Sequence, residues 1–187
     1  GIFLSLNVGI THDEYHDLIV WDLNKLKILN IIFGENYDVS LLERGGKYYG
    51  VGFHLLSFPI ESILSFFISY NEITEYGKIL ILKHPSIFLF FVLSGIYFKK
   101  ILFLITNNNF YSKICSILYL LYPYLLGHSF FNIKDIPFMS VWLICSYYIL
   151  NIAVSFNKTK KIKFKKIIIL SFLTAYLLSI RISGILI

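Results

Sequence analysis

The sequence predicts an all-α protein, a polytopic bundle of transmembrane helices with amphipathic juxtamembrane helices on its outer face. The chain has 187 residues, of which 57% are hydrophobic and only 15% are charged, and its mean hydropathy is +0.70. Soluble domains carry about a quarter charged residues, so a water-soluble globule of this size would lack polar surface. Apolar runs near the ~20 residues that a membrane-crossing helix needs occur at 81–98, 114–131, 136–156 and 167–187.

The N-terminal part is predicted to be the end of one span followed by a long outer loop. Residues 1–10 are apolar but about half as long as a span, which indicates a fragment that lacks the start of its first span and continues beyond Ile187. Residues 11–80 are expected to form the outer loop of this single domain, 1–187. From Leu18 to Phe33 apolar residues recur at roughly helical spacing, which predicts an amphipathic surface helix that ends at Gly34.

The acidic and basic residues are segregated along the chain, as membrane topology requires. Ten of the eleven acidic residues lie between Asp13 and Glu75, whereas lysines concentrate later, at 99–100, 113 and 158–166. The positive-inside rule places these lysines in the cytoplasm and the acidic loop outside. Because the basic residues flank apolar spans and do not cover a folded face, nucleic acid is not an expected partner.

The same rule places Asp135 at the outer face. The spans 114–131 and 136–156 run between two cytoplasmic lysine clusters, so the short turn that joins them, which contains Asp135, must lie outside. One crossing by 81–98 already connects the outer loop to the cytoplasm. The apolar segment 51–69, which contains a proline and a glutamate, is therefore predicted to be a juxtamembrane helix or a re-entrant hairpin.

A cluster of carboxylates and imidazoles follows the first apolar run, in Thr11-His12-Asp13-Glu14-Tyr15-His16-Asp17. Asp13 and Glu14 would be catalytic carboxylates at the lip of a span, where a low dielectric raises their basicity; a solvated acidic loop is the alternative. His12 and His16 share one face if this segment is helical. With Asp13 or Asp17 they could hold a divalent metal, or they could simply hydrogen-bond or contact a substrate.

Asp135 and Arg181 are the remaining charged residues of interest. Asp135 precedes Ile136-Pro137, a combination that favours a helix start, so it is predicted either to cap that helix or to belong to a site. Arg181 lies about 14 residues into the last span, ~20 Å from its cytoplasmic end. There it needs an anion, such as a lipid-linked phosphate, Asp13 or Asp135, unless it snorkels to the outer headgroups.

The order of these motifs resembles that of the GT-C membrane glycosyltransferases, in particular the protein O-mannosyltransferases (glycosyltransferase family 39) and bacterial relatives that modify lipid A or lipopolysaccharide. An Asp-Glu pair follows the first span, and a second Asp lies in a short outer turn before a proline-containing span. The similar segments are Thr11-His12-Asp13-Glu14, Tyr48-Tyr49-Gly50, Gly127–Phe138 and Arg181-Ile182-Ser183-Gly184. Many relatives have Thr where this chain has Lys134.

The resemblance implies an inverting enzyme that moves sugar from a polyprenyl-phosphate donor to a hydroxyl of a glycan, lipid or protein. Asp13 would deprotonate the acceptor, with Glu14 supporting it and Asp135 shaping the site. Arg181 would meet the donor phosphate, with Lys134 or His128 as helpers. The site would face the extracytoplasmic side of a bacterial inner membrane. A transporter or flippase, or a membrane protein without catalysis, is the competing interpretation.

Overall fold

The computed structural model describes residues 1–43, 50–68 and 74–187, and these residues form helices joined by short turns, with no β-strand among them. The all-α prediction is confirmed. The helices are α1 Ile2–Ser5, α2 His12–Phe33, α3 Ser40–Glu43, α4 Gly52–Phe67, α5 Glu75–Thr106, α6 Asn109–Leu121, α7 Pro123–His128, α8 Asp135–Thr159 and α9 Phe164–Ile180, followed by a 3₁₀ helix, Ile182–Leu186.

Two helices of the described ranges, α5 and α8, are long and apolar enough to cross a membrane. Large apolar side chains are exposed on other helices; Phe66 of α4, for example, is 89% exposed and Phe172 of α9 is 72% exposed. Apolar surface of this kind commonly marks a face that meets lipid or a partner. The coarse prediction of membrane-spanning helices therefore agrees with the structure, whereas the full set of spans does not follow from it.

Helix α2 ends where the sequence predicts but begins earlier. Gly34 adopts the left-handed conformation, with φ of 70°, and its N–H donates to the Asn30 carbonyl. Glycine favours this conformation at a helix C-terminus because it has no Cβ. The N-terminus lies at His12, so the acidic cluster expected in the outer loop is the first turn of the helix.

The segment predicted as a juxtamembrane helix or a hairpin is a single helix, α4, so the hairpin alternative is wrong. Its 16 residues span about 24 Å, less than the ~30 Å of a bilayer core. His54 of α4 stacks on Trp21 of α2, with 5.4 Å between ring centroids. The glycine pair Gly45-Gly46, which predicts a turn, and the motif residues Tyr48 and Tyr49 lie outside the described residues.

The segment 114–131, predicted as a span, is not one continuous helix. Helix α6 ends at Leu121, and α7 starts at Pro123. Proline disfavours helical geometry in the residue before it, and Tyr122 has extended geometry with ψ of 116°. The segment is therefore two short helices, and neither meets the length of a candidate span.

The segment 167–187, also predicted as a span, is not one continuous helix either, because α9 ends at Ile180. Arg181 has an extended backbone (φ −150°, ψ 135°), and its N–H still donates to the Leu177 carbonyl. Ser183 and Gly184, which follow, are weak helix formers. Residues 1–10, predicted to end a first span, contain only the four-residue α1.

Helices α5 and α8 run parallel to each other and form the centre of the bundle. Helices α6 and α7 lie between them in the sequence and lead the chain back to the start of α8. One cluster of buried side chains joins α4, α5 and α8: Phe53, Ile87, Phe91, Ile133 and Ile136. A second joins α8 to the antiparallel α9: Val141, Cys145, Leu177 and Ile180. This arrangement brings the N-terminal ends of α2 and α8 together with the C-terminal end of α9.

Candidate functional site

A cavity of about 490 Å³ lies where α2 and α8 begin and α9 ends. Every residue that the sequence singled out lines it: His12, Asp13, Glu14, His16, Asp17, His128, Lys134, Asp135 and Arg181. Asp13 and Asp135, more than a hundred positions apart in sequence, thus share one cavity as predicted. The cavity joins residues from four elements, α2, α7, α8 and α9, which only the tertiary fold brings together.

Glu14 caps the start of α2. The Glu14 N–H donates to Thr11 Oγ1 at 3.4 Å, and the Thr11 N–H donates to Glu14 Oε2 at 2.7 Å. This reciprocal pair is a capping box, in which side chains satisfy backbone donors that a helix start leaves unpaired. The pattern Thr-x-x-Glu is visible in the sequence, and it would have identified Glu14 as part of a helix start.

The other oxygen of Glu14 contacts His84 of α5, a residue that the sequence reasoning missed. Glu14 Oε1 lies 2.8 Å from His84 Nε2, and His84 Nδ1 lies 2.9 Å from the Ser5 carbonyl oxygen. A carbonyl only accepts, so Nδ1 donates to Ser5. The contact between Nε2 and Oε1 then holds one proton, as an imidazolium–carboxylate pair or as a neutral acid donating to a neutral ring. Glu14 and His84 are 1% and 0% exposed.

The neighbour of His84 forms a second buried pair. Lys83 Nζ donates to Glu61 Oε1 of α4 at 2.6 Å and approaches Ser57 Oγ at 3.5 Å. Adjacent residues of α5 therefore hold carboxylates from two different helices, α2 and α4. Ionisable residues within an apolar segment require partners, so Lys83-His84 in the sequence was the signal that could have revealed both contacts.

Asp13 differs from its neighbours because its carboxylate makes no hydrogen bond or ion pair with any residue in the described ranges. It is exposed to the cavity and lies one helical turn before Asp17 on the same face of α2. The capping box at Thr11 and Glu14 fixes the backbone on both sides of it. Asp13 is thus a positioned carboxylate that can accept a proton or a hydrogen bond from a molecule in the cavity.

Asp17 is held by Lys134. The two side chains form an ion pair between α2 and the start of α8, and the Asp17 side chain is only 5% exposed. Burial raises the pKa of Asp17 above its usual value, while Lys134 opposes this rise by stabilising the charged form. His16 Nδ1 lies 3.9 Å from Asp17 Oδ1. This pair fixes the wall of the cavity between Asp13 and Asp135.

Asp135 pairs with Arg181 at the mouth of the cavity. Asp135 Oδ1 accepts from Arg181 Nη1, and Oδ2 accepts from Asn132 Nδ2 at 3.2 Å. The two charged side chains are 58% and 48% exposed. The alternative that Asp135 is a helix cap is wrong: it is the first residue of α8, and Asn132 Oδ1 accepts from the Lys134 and Asp135 N–H groups.

The histidines of the cavity have different surroundings. His128 ends α7, and its Nδ1 accepts from Asn132 Nδ2 at 3.3 Å, while its ring packs 4.4 Å from that of Tyr124. His12 and His16 lie on the exposed side of α2. Within the described ranges no three His, Cys, Asp or Glu side chains are grouped so that they could hold a metal ion.

Comparison with known proteins identifies no relative. No protein-family model matches the chain, and no significant match occurs among curated proteins or solved structures. The functional interpretation therefore depends on the motifs and on the geometry of the cavity.

Proposed function

We propose that this chain is part of an inverting membrane glycosyltransferase that moves a sugar from a polyprenyl-phosphate donor to a hydroxyl acceptor, with Asp13 as the general base. The observation that carries the proposal is which acids of the cavity are paired with a cation or an imidazole. Glu14, Asp17 and Asp135 are each held by a cationic or imidazole partner, whereas Asp13 has no such partner among the residues that the structure describes.

Asp13 suits the role of a base because its oxygens are accessible and its backbone is fixed. An acceptor hydroxyl is too weakly acidic to ionise before it attacks, so a positioned carboxylate must accept its proton during the attack. Glu14 is enclosed, and both of its oxygens are already engaged in hydrogen bonds, with Thr11 and His84. Glu14 consequently supports Asp13 through the helix start and does not contact the acceptor.

Arg181 is the cation that we assign to the donor phosphate. Both cations of the cavity are paired with carboxylates, so the phosphate must compete for one of them. An exposed ion pair contributes ~0–1 kcal/mol, whereas breaking a buried one costs ~3–5 kcal/mol. The Arg181–Asp135 pair is about half exposed, and the Lys134–Asp17 pair contains a buried carboxylate. Releasing Arg181 from Asp135 therefore costs less free energy than releasing Lys134 from Asp17. The phosphate binds Arg181, and Lys134 continues to hold α2 against α8.

The position of the cavity suits a lipid donor and a water-borne acceptor. It lies at the start of α8, one of the two helices that could cross a membrane, and large apolar side chains are exposed around the bundle. A polyprenyl chain would reach Arg181 from the bilayer, and the acceptor would enter from water. We assign this end to the extracytoplasmic side because the lysine-rich segments lie at the other.

The chemical step needs only groups present in the cavity and the two substrates. The acceptor oxygen forms a bond to the anomeric carbon from the face opposite the phosphate, and the carbon–oxygen bond to the phosphate breaks. The bonding electrons leave with the phosphate, whose developing charge Arg181 stabilises. The acceptor proton passes to the Asp13 carboxylate.

The test measures binding and transfer separately in the full-length protein. Undecaprenyl phosphate, which resembles the leaving group whatever the sugar, serves as the binding probe. Polyprenyl-phosphate-linked labelled hexoses serve as donors in membranes. Asp13→Asn should bind the probe normally and lose ~10²–10⁴-fold in transfer rate, the usual contribution of a general base. Arg181→Gln should weaken binding of the probe.

Asp22→Asn is the matched control, because Asp22 is an acid of the same helix outside the cavity, paired with Lys25 at 2.6 Å. It should leave both readouts unchanged. Full transfer activity in Asp13→Asn would refute the proposal. Binding of undecaprenyl phosphate without transfer from any donor would favour the flippase alternative.

A further inference from the structure

A second cavity, of about 580 Å³, lies between the C-terminal part of α5, the start of α6 and the middle of α8. Its charged residues are Lys99 and Lys100, and Ile96, Phe103 and Tyr147 contribute apolar walls. Tyr147 is 12 residues beyond Asp135 on α8, so the two cavities are ~18 Å apart along the helix. The sugar-transfer proposal gives this second cavity no role.

Among the described residues, no acidic side chain pairs with Lys99 or Lys100. The sequence contains no acidic residue between Glu75 and Asp135 and none after Asp135, which lies at the other end of the bundle. Lys100 Nζ lies 4.2 Å from the centre of the Tyr97 ring and 5.5 Å from that of Tyr147. These cation–π contacts orient the ammonium group but do not neutralise it. An anionic ligand would therefore meet two positive charges that no described acid compensates.

Long lysine side chains can extend along a helix, so the ammonium groups of Lys99 and Lys100 can reach toward the cytoplasmic headgroups. The side chains around them are tyrosines. Tyr97, Tyr147 and Tyr148 form a cluster, with 5.3 Å between the rings of Tyr97 and Tyr147 and 5.4 Å between those of Tyr147 and Tyr148. Tyrosines concentrate where a helix passes from hydrocarbon to headgroups. Ile96 lies one turn before the lysines, toward the middle of the bundle, and offers an apolar surface for an acyl chain.

We propose that this cavity is a binding site for an anionic phospholipid, whose phosphate lies between Lys99 and Lys100 and whose acyl chain lies along Ile96. Basic pockets between membrane helices on the cytoplasmic side suit acidic lipid headgroups. A free phosphate would pair with the lysines but would not contact the apolar wall, whereas a neutral lipid would contact only the wall. The combination selects an acidic lipid.

The test is native mass spectrometry of the purified full-length protein titrated with dioleoyl phosphatidylglycerol, with dioleoyl phosphatidylcholine as the neutral lipid. The protein should bind one phosphatidylglycerol molecule in preference to phosphatidylcholine. Lys99→Gln/Lys100→Gln should weaken that binding about 30-fold. Ile96→Trp, which keeps both lysines and fills the cavity, should weaken it as well.

Lys158→Gln/Lys161→Gln is the control, because it removes two exposed lysines from the same end of the bundle outside the cavity. It should bind phosphatidylglycerol like the unchanged protein. Equal weakening by the control pair would mean that general surface charge attracts the lipid and would overturn the site. Unchanged binding in Ile96→Trp, equal binding of phosphatidylcholine, or displacement by millimolar inorganic phosphate would also overturn it.

Discussion

Replacing His84 by leucine should destabilise the protein more than any loss of packing would explain. Leucine has nearly the volume of histidine, so the substitution leaves little empty space. What it removes is the partner of Glu14 Oε1, at 2.8 Å, and the donor to the Ser5 carbonyl, at 2.9 Å. Glu14 remains enclosed with one backbone donor, that of Thr11.

The magnitude follows from the burial of the pair. Both residues are at most 1% exposed, so the Glu14 carboxylate cannot turn to water once His84 is gone. Removing one partner of a buried pair costs ~3–5 kcal/mol, because the remaining charge is uncompensated. At this chain length each kcal/mol shifts the melting temperature by ~2–4 °C. The expected decrease is therefore ~6–20 °C.

The assay is thermal unfolding of the full-length protein in detergent, followed by intrinsic fluorescence, for the two single variants and the double variant. Glu14→Gln alone should cost little, because an amide can still accept from Thr11 and donate to His84. His84→Leu/Glu14→Gln should be more stable than His84→Leu, since the double variant no longer contains the buried charge. A double variant no more stable than His84→Leu would refute the reasoning.

Two further predictions concern the pH dependence of stability at His54 and the close backbone contact at Gly50. Burial, with smaller contributions from the positive charges of Lys83, Lys134 and Lys25, lowers the pKa of His54 to about 3. The stability that neutral His54 provides is complete above its unfolded pKa of 6.5 and decreases as the pH falls toward 3, by ~2 kcal/mol at pH 5. The melting temperature should fall between pH 7 and 5, and His54→Phe should lessen this fall; parallel pH profiles would contradict it. A Cβ at Gly50 would overlap the carbonyl oxygens at the C-terminus of α9. Gly50→Ala should therefore destabilise the protein by ~1–3 kcal/mol through overpacking and lower its melting temperature accordingly. The control Gly34→Asn, at an open left-handed position, should lower the melting temperature less.

Local chemistry made several features predictable. Gly34 ends α2 in the left-handed conformation, which glycine favours by itself, without contacts to distant residues. Pro123 divides the predicted span 114–131 through its effect on the preceding residue, a local signal that the hydropathy reading overlooked. The separation of acids from lysines along the chain led to the expectation that Asp13 and Asp135 face one site, and both line the same cavity.

Other features depend on residues far apart in sequence. His84 and Glu14 are 70 positions apart, and neither residue type by itself indicates the other. Likewise, α9 ends just before Arg181, whose side chain meets Asp135 across 46 positions, although hydropathy alone would continue the helix. Which acids are paired, and hence which one is available as a base, could not be predicted from the composition of the acidic cluster.

The sequence by itself determined that this protein is helical, strongly apolar and charged with opposite signs in different segments, because these properties follow from residue types and their spacing. The tertiary structure decided which carboxylate remains available, since the packing of α5, α8 and α9 brings His84, Lys134 and Arg181 to three acids and leaves Asp13 facing the cavity. Pairing depends on distances between helices, and those distances are set only when the helices pack.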